Sequence, residues 1–263
     1  MTISEDTTTG RELIETGSPV AGSMSTAAAT VVFEPSSAKV QVDDRLATSL
    51  RTVATDTAGL PVGRERVRAG AALAFAVEYA ATLGGSGRRV RGDGFFSERA
   101  GGRPVADELA EAVVAAARRS VDERRVRHLG YLLAEVAFSP DVDAEVVLRA
   151  LRLVEALGWR QLTLLAGVGR RERFPLPMAP LEDDPRAWSA WGAREDVADL
   201  QRAGLLDPPP VAARPGGAAI PRLRAADLRL TRRGVLVHRL LVLDLLHEDA
   251  VTAGLADLGL PRS

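Results

Sequence analysis

The chain has 263 residues, 46% of them hydrophobic, and its 34 basic and 35 acidic side chains leave a net charge of −1. This length fits one large or two small domains with a sizeable core. The balanced charge argues against a nucleic-acid partner that binds over the whole surface. The sequence contains no cysteine, which excludes disulfides, thiolate zinc sites and cysteine nucleophiles.

The basic residues and the N-terminus indicate a source and a location. Lys39 is the only lysine, so the other 33 basic residues are arginine. With abundant Ala, Gly and Val, this is typical of the codon bias of a high-GC bacterium and indicates no function by itself. We find no apolar run long enough for a transmembrane helix, and the acidic start of the chain is unlike a signal peptide. We therefore expect a cytoplasmic protein without membrane contact.

The first part of the chain is predicted to be a polar tail followed by helices. Residues 1–28 are too polar to offset their ordering entropy, which predicts a disordered tail. Thr30 to Phe33 is β-branched and aromatic and predicts a short strand or an extended arm. Apolar spacing and helix-end signals then predict three helices, which run from Asp43 or Asp44 to about Thr57, from Arg64 to Leu83, and from Pro104 to Arg119.

Residues 121–168 have the clearest helical period in the sequence. Apolar residues recur at spacings of three and four from Asp122 to Phe138, and Ser139-Pro140 ends that helix. Asp122 and Asp143 are predicted caps, because a carboxylate can accept the free N–H groups of a helix start. The second helix is apolar nearly all round, so we expect it at the centre of a bundle. Gly158 is predicted as its left-handed C-terminal cap, before a third helix from Trp159 to Val168.

This segment resembles a family of uncharacterised bacterial helical proteins, some thought to be encoded near phage-defence or mobile-element genes. In that family a charged run, here Asp122-Glu123-Arg124-Arg125, precedes a leucine-rich helix. A second helix ends in Leu-x-x-Arg-Gln-Leu, here at residues 157–162. The resemblance covers under a fifth of the chain and implies a shared helical scaffold, with no catalytic residue to transfer.

The composition changes after Val168 to a charged, proline-punctuated connection, which predicts a domain boundary. A predicted helix from Arg194 to about Ala203 is followed by Gly204-Leu205-Leu206. We predict a ribbon from Ile220–Ala225 and Leu228–Thr231, then an apolar helix from Val235 to Leu246. This order resembles the second half of a winged helix. Phosphate contacts would then come from wing arginines, namely Arg222, Arg224, Arg229, Arg232 and Arg233. Carboxylates at Glu195, Asp196 and Asp199 on the would-be recognition helix argue against DNA binding.

One loop of the sequence has two features that also occur in binding sites. The glycine-rich loop Gly84 to Gly94 can offer backbone N–H groups to a phosphate, but it matches no nucleotide-binding pattern and has no P-loop lysine. Its arginines with Phe95 and Phe96 are also similar to single-strand nucleic-acid sites. A surface connection with buried phenylalanines is favoured.

The sequence contains no catalytic or metal-binding constellation that we recognise. The three histidines, His128, His238 and His247, lack the spacing of a shared metal site. We find no G-x-S-x-G nucleophile motif and no serine triad order. We therefore predict no catalytic residue, no cofactor and no metal.

Together these features predict a mainly α protein. Its helical bundle would span residues 29–168, and a winged-helix-like α/β region would span residues 169–263. We expect a non-catalytic protein that acts by binding a protein partner or its own copy, because the apolar segment 236–246 needs a cover. The alternative is a DNA-binding regulator, or a mobile-element or phage-defence factor, that uses the arginine-rich wing.

Overall fold

The computed structural model describes residues 42–58, 63–98, 102–176, 188–208, 224–256 and 258. Within these ranges the chain forms nine α-helices and two short 3-10 turns, Ala225–Asp227 and Leu243–Leu245. The helices are α1 (Asp44–Ala58), α2 (Arg64–Gly85), α3 (Val105–Arg119), α4 (Arg124–Ala137), α5 (Ala144–Ala156), α6 (Trp159–Gly169), α7 (Trp188–Arg202), α8 (Arg232–Leu240) and α9 (Glu248–Ala256). None of the described helices is both long enough and apolar enough to cross a bilayer. The predicted tail and the strand or arm at Thr30–Phe33 lie outside the described residues.

The predicted α/β winged-helix-like region over residues 169–263 is wrong. In the described part of this region no strand forms, and an isolated antiparallel bridge joins Leu206 to Leu230. Here the backbone hydrogen bonds join the residues that follow α7 to the residues that precede α8, and they do not join two strands. The Thr231 N–H donates to the Leu205 carbonyl at 3.1 Å, and the Asp207 N–H donates to the Arg229 carbonyl at 2.9 Å. Residues 225–227, predicted as strand and turn, form a 3-10 turn.

The chain divides into two compact units, Met1–Glu155 and Ala156–Ser263. The first unit contains α1 to α4 and nearly all of α5. In the second unit α6 packs against α7, α8 and α9. The division predicted from composition, at residues 168 and 169, stays a prediction.

Helix α4 lies at the centre of the first unit. Every residue from His128 to Ala137 is buried, and α2 packs along it with α3 alongside. A Cβ at Gly130 would overlap the carbonyl oxygen of Ala72, so the backbones of α2 and α4 touch at this point. The prediction that α5 is the central helix is wrong, because α5 buries one face and leaves Val146 exposed.

Three helices of the first unit begin with the same aspartate signal. Asp43, Asp122 and Asp143 each accept a hydrogen bond from the backbone N–H two residues later, at 3.0, 3.0 and 2.7 Å. This confirms the caps predicted at Asp122 and Asp143, and it shows that Asp43, one of the two predicted starts of the first helix, caps that helix. Gly158 is not the predicted left-handed cap, since its φ is −79°. It precedes α6, and its N–H donates to the side chain of Gln161 at 2.9 Å.

The second unit is built around α6, and two glycines allow a close contact between α6 and α9. A Cβ on Gly167 would lie 2.7 Å from the Leu255 side chain, and one on Gly254 would overlap Thr163. The two helices approach closely because each glycine lies against a side chain of the other helix. The core of this unit includes fully buried leucines from α6, α7 and the residues after α7, namely Leu162, Leu164, Leu165, Leu200, Leu205 and Leu206.

The apolar segment 236–246 is not one helix. Helix α8 ends at Leu240, and Val242 adopts a left-handed conformation with φ 50° and ψ 47°. This conformation is unusual for a β-branched residue. The turn it makes buries Leu240, Leu241 and Leu243 completely, so the segment is largely covered by its own unit. The sequence-based reason for expecting an external cover therefore does not apply to it.

Candidate interaction surface on helix α7

Helix α7 has a buried inner face and an exposed outer face. Ala193, Val197 and Leu200 recur at spacings of four and three and are fully buried, and α7 packs against α6. The helix ends where Gly204 takes a left-handed φ of 67° and the Leu205 N–H donates to the Leu200 carbonyl at 2.9 Å. The inner face and this cap fix the orientation of the helix, and hence of its outer face.

Two exposed tryptophans lie at the N-terminal end of that outer face. Trp188 is 76% exposed and Trp191 is 49% exposed. Their ring centroids are 6.0 Å apart and the rings are nearly perpendicular, at 82°, which is a favourable aromatic pairing. A spacing of three residues places both side chains on one side of the helix. The two rings therefore contact each other and form one exposed aromatic surface.

The rest of the outer face is acidic. Glu195 and Asp199 follow Trp191 at intervals of four residues, and Arg202 ends the row. The Arg202 guanidinium pairs with Asp199 and lies 3.9 Å from Glu195. We call Trp188, Trp191, Glu195, Asp199 and Arg202 the α7 outer face; all five are exposed.

Contacts from α6 support one edge of this face. A Cβ at Gly192 would lie 2.6 Å from the Arg160 guanidinium, and Arg160 forms an ion pair with Asp196. Gln161 donates to Asp199 at 3.3 Å. The small residue beside Trp191 therefore lets an arginine of α6 hold the N-terminal half of α7 in place.

Five arginines are predicted as DNA contacts, namely Arg222, Arg224, Arg229, Arg232 and Arg233. Arg222 lies outside the described residues, and the other four do not lie on a wing. Arg224 pairs with Asp227 at 2.8 Å, Arg229 donates to the Ala226 carbonyl at 2.6 Å, and Arg233 donates to the Ala203 carbonyl at 2.9 Å. Arg232 is exposed at the start of α8. Three of the five therefore bind their own chain, and DNA contact by the set stays a prediction.

The glycine-rich loop after α2 is attached to the C-terminal end of α4. Arg88 donates to both carboxylate oxygens of Glu135, at 2.8 and 3.0 Å. The buried Arg91 pairs with Asp93, donates to the Val142 carbonyl at 3.1 Å and stacks on the Phe95 ring, 4.5 Å from its centroid. Phe95 is buried. Arg88, Arg91 and Phe95 therefore hold the loop in place against its own unit. This agrees with the prediction that the loop is a connection between helices.

Glu135 also contacts Tyr79, whose hydroxyl donates to it at 3.3 Å. Burial, followed by the nearby Glu135 carboxylate, raises the pKa of Tyr79 to about 12. The tyrosine is therefore protonated at neutral pH and can donate to the carboxylate. Arg88 also donates to Glu135, and so does the Ser139 hydroxyl, at 3.1 Å. Together with Tyr79, these side chains provide hydrogen bonds to the buried negative charge of Glu135.

Within the described residues, the histidines belong to no cluster of metal-binding side chains. His128 and His238 are buried, and His247 is exposed. The described segments contain no group of three or more His, Asp or Glu side chains arranged to hold a metal ion. The helical period of residues 122–138 predicts that His128 lies on the polar face, but every residue of α4 from His128 to Ala137 is buried.

Comparison of the chain with protein-family models, with curated proteins and with solved structures finds no match. The resemblance of residues 121–168 to bacterial helical proteins therefore stays a prediction.

The tryptophan pair is not among the site residues predicted from sequence. The predicted helix begins at Arg194, whereas the observed helix begins at Trp188. A signal was available, since two tryptophans three residues apart precede a helix whose apolar positions are Ala193, Val197 and Leu200. Extending that period backwards places both tryptophans opposite the buried face.

Proposed function

We propose that this chain is a non-catalytic cytoplasmic protein that acts by binding a macromolecule, either a protein partner or a second copy of itself, through the α7 outer face. The observation that carries the proposal is the exposed Trp188–Trp191 pair. Tryptophan contributes strongly to protein–protein binding energy because it buries a large rigid surface at a small entropic cost. Leaving two such rings in water is unfavourable, and a partner would remove that exposure.

Site-specific photo-crosslinking in the native cells tests this proposal. A photoreactive phenylalanine analogue replaces Trp191, and the adducts are identified by mass spectrometry. The matched control carries the same analogue at Glu78, an exposed position on α2 in the other unit. We expect adducts from position 191, with another protein or with a second copy, and none of the same adducts from position 78. Equal adduct patterns at the two positions, or no adduct at 191, would contradict the proposal.

The alternative is a DNA-binding regulator. It was based on an arginine-rich wing, but no strand of a wing forms in the described part of residues 169–263. Binding of the purified chain to random-sequence duplex DNA, followed by fluorescence anisotropy at low and near-physiological salt, tests it directly. Micromolar binding that weakens steeply with salt, and that is reduced by R232A/R233A, would favour it over the protein-interaction proposal.

A further inference from the structure

The α7 outer face combines an aromatic end with an acidic end along one helix. Its residues are spaced by three, four, four and three positions, so they form a single row about 20 Å long at the usual rise of an α-helix. The tryptophan rings occupy the first turn, and the carboxylates of Glu195 and Asp199 occupy the next two. A ligand that lies along this row meets both chemistries.

The acidic end keeps an excess of negative charge. The side chains of Glu195 and Asp199 are 51% and 48% exposed, and among the described residues Arg202 is the cation that pairs with both of them. Arg160 is paired with Asp196 at the edge of the face. Arg194 is half-buried and lies about 100° around the helix from Glu195, outside the row. The row therefore has two carboxylates and one guanidinium facing solvent.

This arrangement discriminates between classes of ligand. A purely apolar partner would desolvate Glu195 and Asp199 without compensation, which costs free energy. A nucleic acid or an acidic peptide would be repelled by the same carboxylates. An arginine side chain can make both kinds of favourable contact, because its guanidinium stacks on tryptophan faces and also pairs with carboxylates in bidentate geometry.

We propose that the ligand of the α7 outer face is an arginine-bearing, cationic segment of a partner protein. This inference rests on the proposed function, since it names the chemistry of the partner that docks at the same surface. The tryptophan pair would receive one or two guanidinium groups, and Glu195 and Asp199 would receive the next ones along the segment.

A labelled peptide tests the proposal. The probe is a fluorescein-labelled dodecapeptide, (Arg-Ala-Gly)4, and the matched control peptide carries Gln in place of every Arg. Anisotropy titrations with the full chain at low salt should show saturable binding of the arginine peptide only. We expect W188A/W191A to weaken that binding at least tenfold and E195Q/D199N to weaken it about three- to tenfold. E78Q, a neutralised carboxylate on α2, should leave it unchanged.

The variants change exposed side chains, and circular dichroism checks that each remains folded. Equal binding of the Gln peptide, or arginine-peptide binding that E195Q/D199N leaves intact, would overturn the inference. If photo-crosslinking at position 191 gives adducts but the arginine peptide does not bind, the proposed function stands and the cationic partner is wrong. If sedimentation shows a dimer that W188A/W191A abolishes and the peptide does not displace, the ligand is a second copy and the inference is again overturned.

Discussion

Gly234, the third residue of α8, lies directly against the backbone after α7. A Cβ at this position would overlap the carbonyl oxygen of Leu205 and lie 3.0 Å from its carbonyl carbon. That carbonyl also accepts the Thr231 N–H, so it cannot move without loss of a hydrogen bond. The threonine hydroxyl in turn accepts the Gly234 N–H at 3.0 Å and caps α8.

We expect Gly234→Ala to lower the free energy of unfolding by about 2–3 kcal/mol, because overpacking against backbone cannot be relieved by a rotamer change. Urea unfolding followed by circular dichroism measures the change. The control is Gly85→Ala, since a Cβ there meets no atom within 4 Å; it should alter stability by less than about 0.5 kcal/mol. Similar effects of both substitutions would show that the contact between Gly234 and the Leu205 carbonyl has room for a Cβ.

His238 is a buried titratable side chain in α8. Burial, the main cause, lowers its pKa below 6.5; Arg170 adds to the decrease and Asp244 opposes it. The unfolded chain then binds a proton at a higher pH than the folded chain. The stability contributed by neutral His238 is therefore complete above pH 6.5 and is lost as the pH falls from 6.5 through the lower folded pKa.

Unfolding measured between pH 7.5 and 5 should show this acid-side loss in the unchanged chain and a weaker one in His238→Gln. The control is His247→Gln, whose imidazole is exposed and which should keep the full pH dependence. An unchanged slope in His238→Gln would mean that other groups cause the loss.

The attachment of the glycine-rich loop to α4 depends on a buried carboxylate. Only 5% of the Glu135 side chain is exposed, and Arg88 is its cation. Arg88→Met should lower stability by about 2 kcal/mol, because a buried charge that loses its partner is costly, although part of the Arg88 side chain is in solvent. Urea unfolding checks this value. Arg89→Met is the matched control, since Arg89 is exposed, and it should be nearly neutral. A neutral Arg88→Met would show that Tyr79 and Ser139 alone satisfy Glu135.

The helices of the first unit could be predicted from sequence because their signals are local. Asp43, Asp122 and Asp143 start helices, and Ser139-Pro140 separates two of them, so the predicted bounds agree with the observed helices to within a few residues. The Arg88–Glu135 pair could not be predicted in the same way. Its members are 47 residues apart, and nothing local to either residue identifies the other.

The second unit was less predictable because tertiary contacts decide its local structure. Leu228–Thr231 alternates apolar and polar residues like a strand, yet it lies between two helix ends and makes a single bridge. The run from Leu236 to Leu246 has no glycine or proline, so no sequence signal marks the left-handed turn at Val242. The turn forms because it buries Leu241 and Leu243, and this burial offsets the backbone strain.

Each of the two units has its own buried core. The first unit includes the fully buried Leu46, Leu73, Leu109, Leu129 and Leu132. A unit with such a core, with capped helices and with the loop fixed to α4, has what an independently folding domain needs.

We therefore expect a fragment of residues 42–158 to fold by itself. It should show helical circular dichroism, a cooperative urea transition, and a loss of stability on Arg88→Met similar to that in the full chain. Gly234→Ala, in the other unit, should shift a transition of the full chain that the fragment lacks. A fragment that unfolds gradually, or that exposes its apolar core to a hydrophobic dye, would show that the first unit needs the rest of the chain to fold.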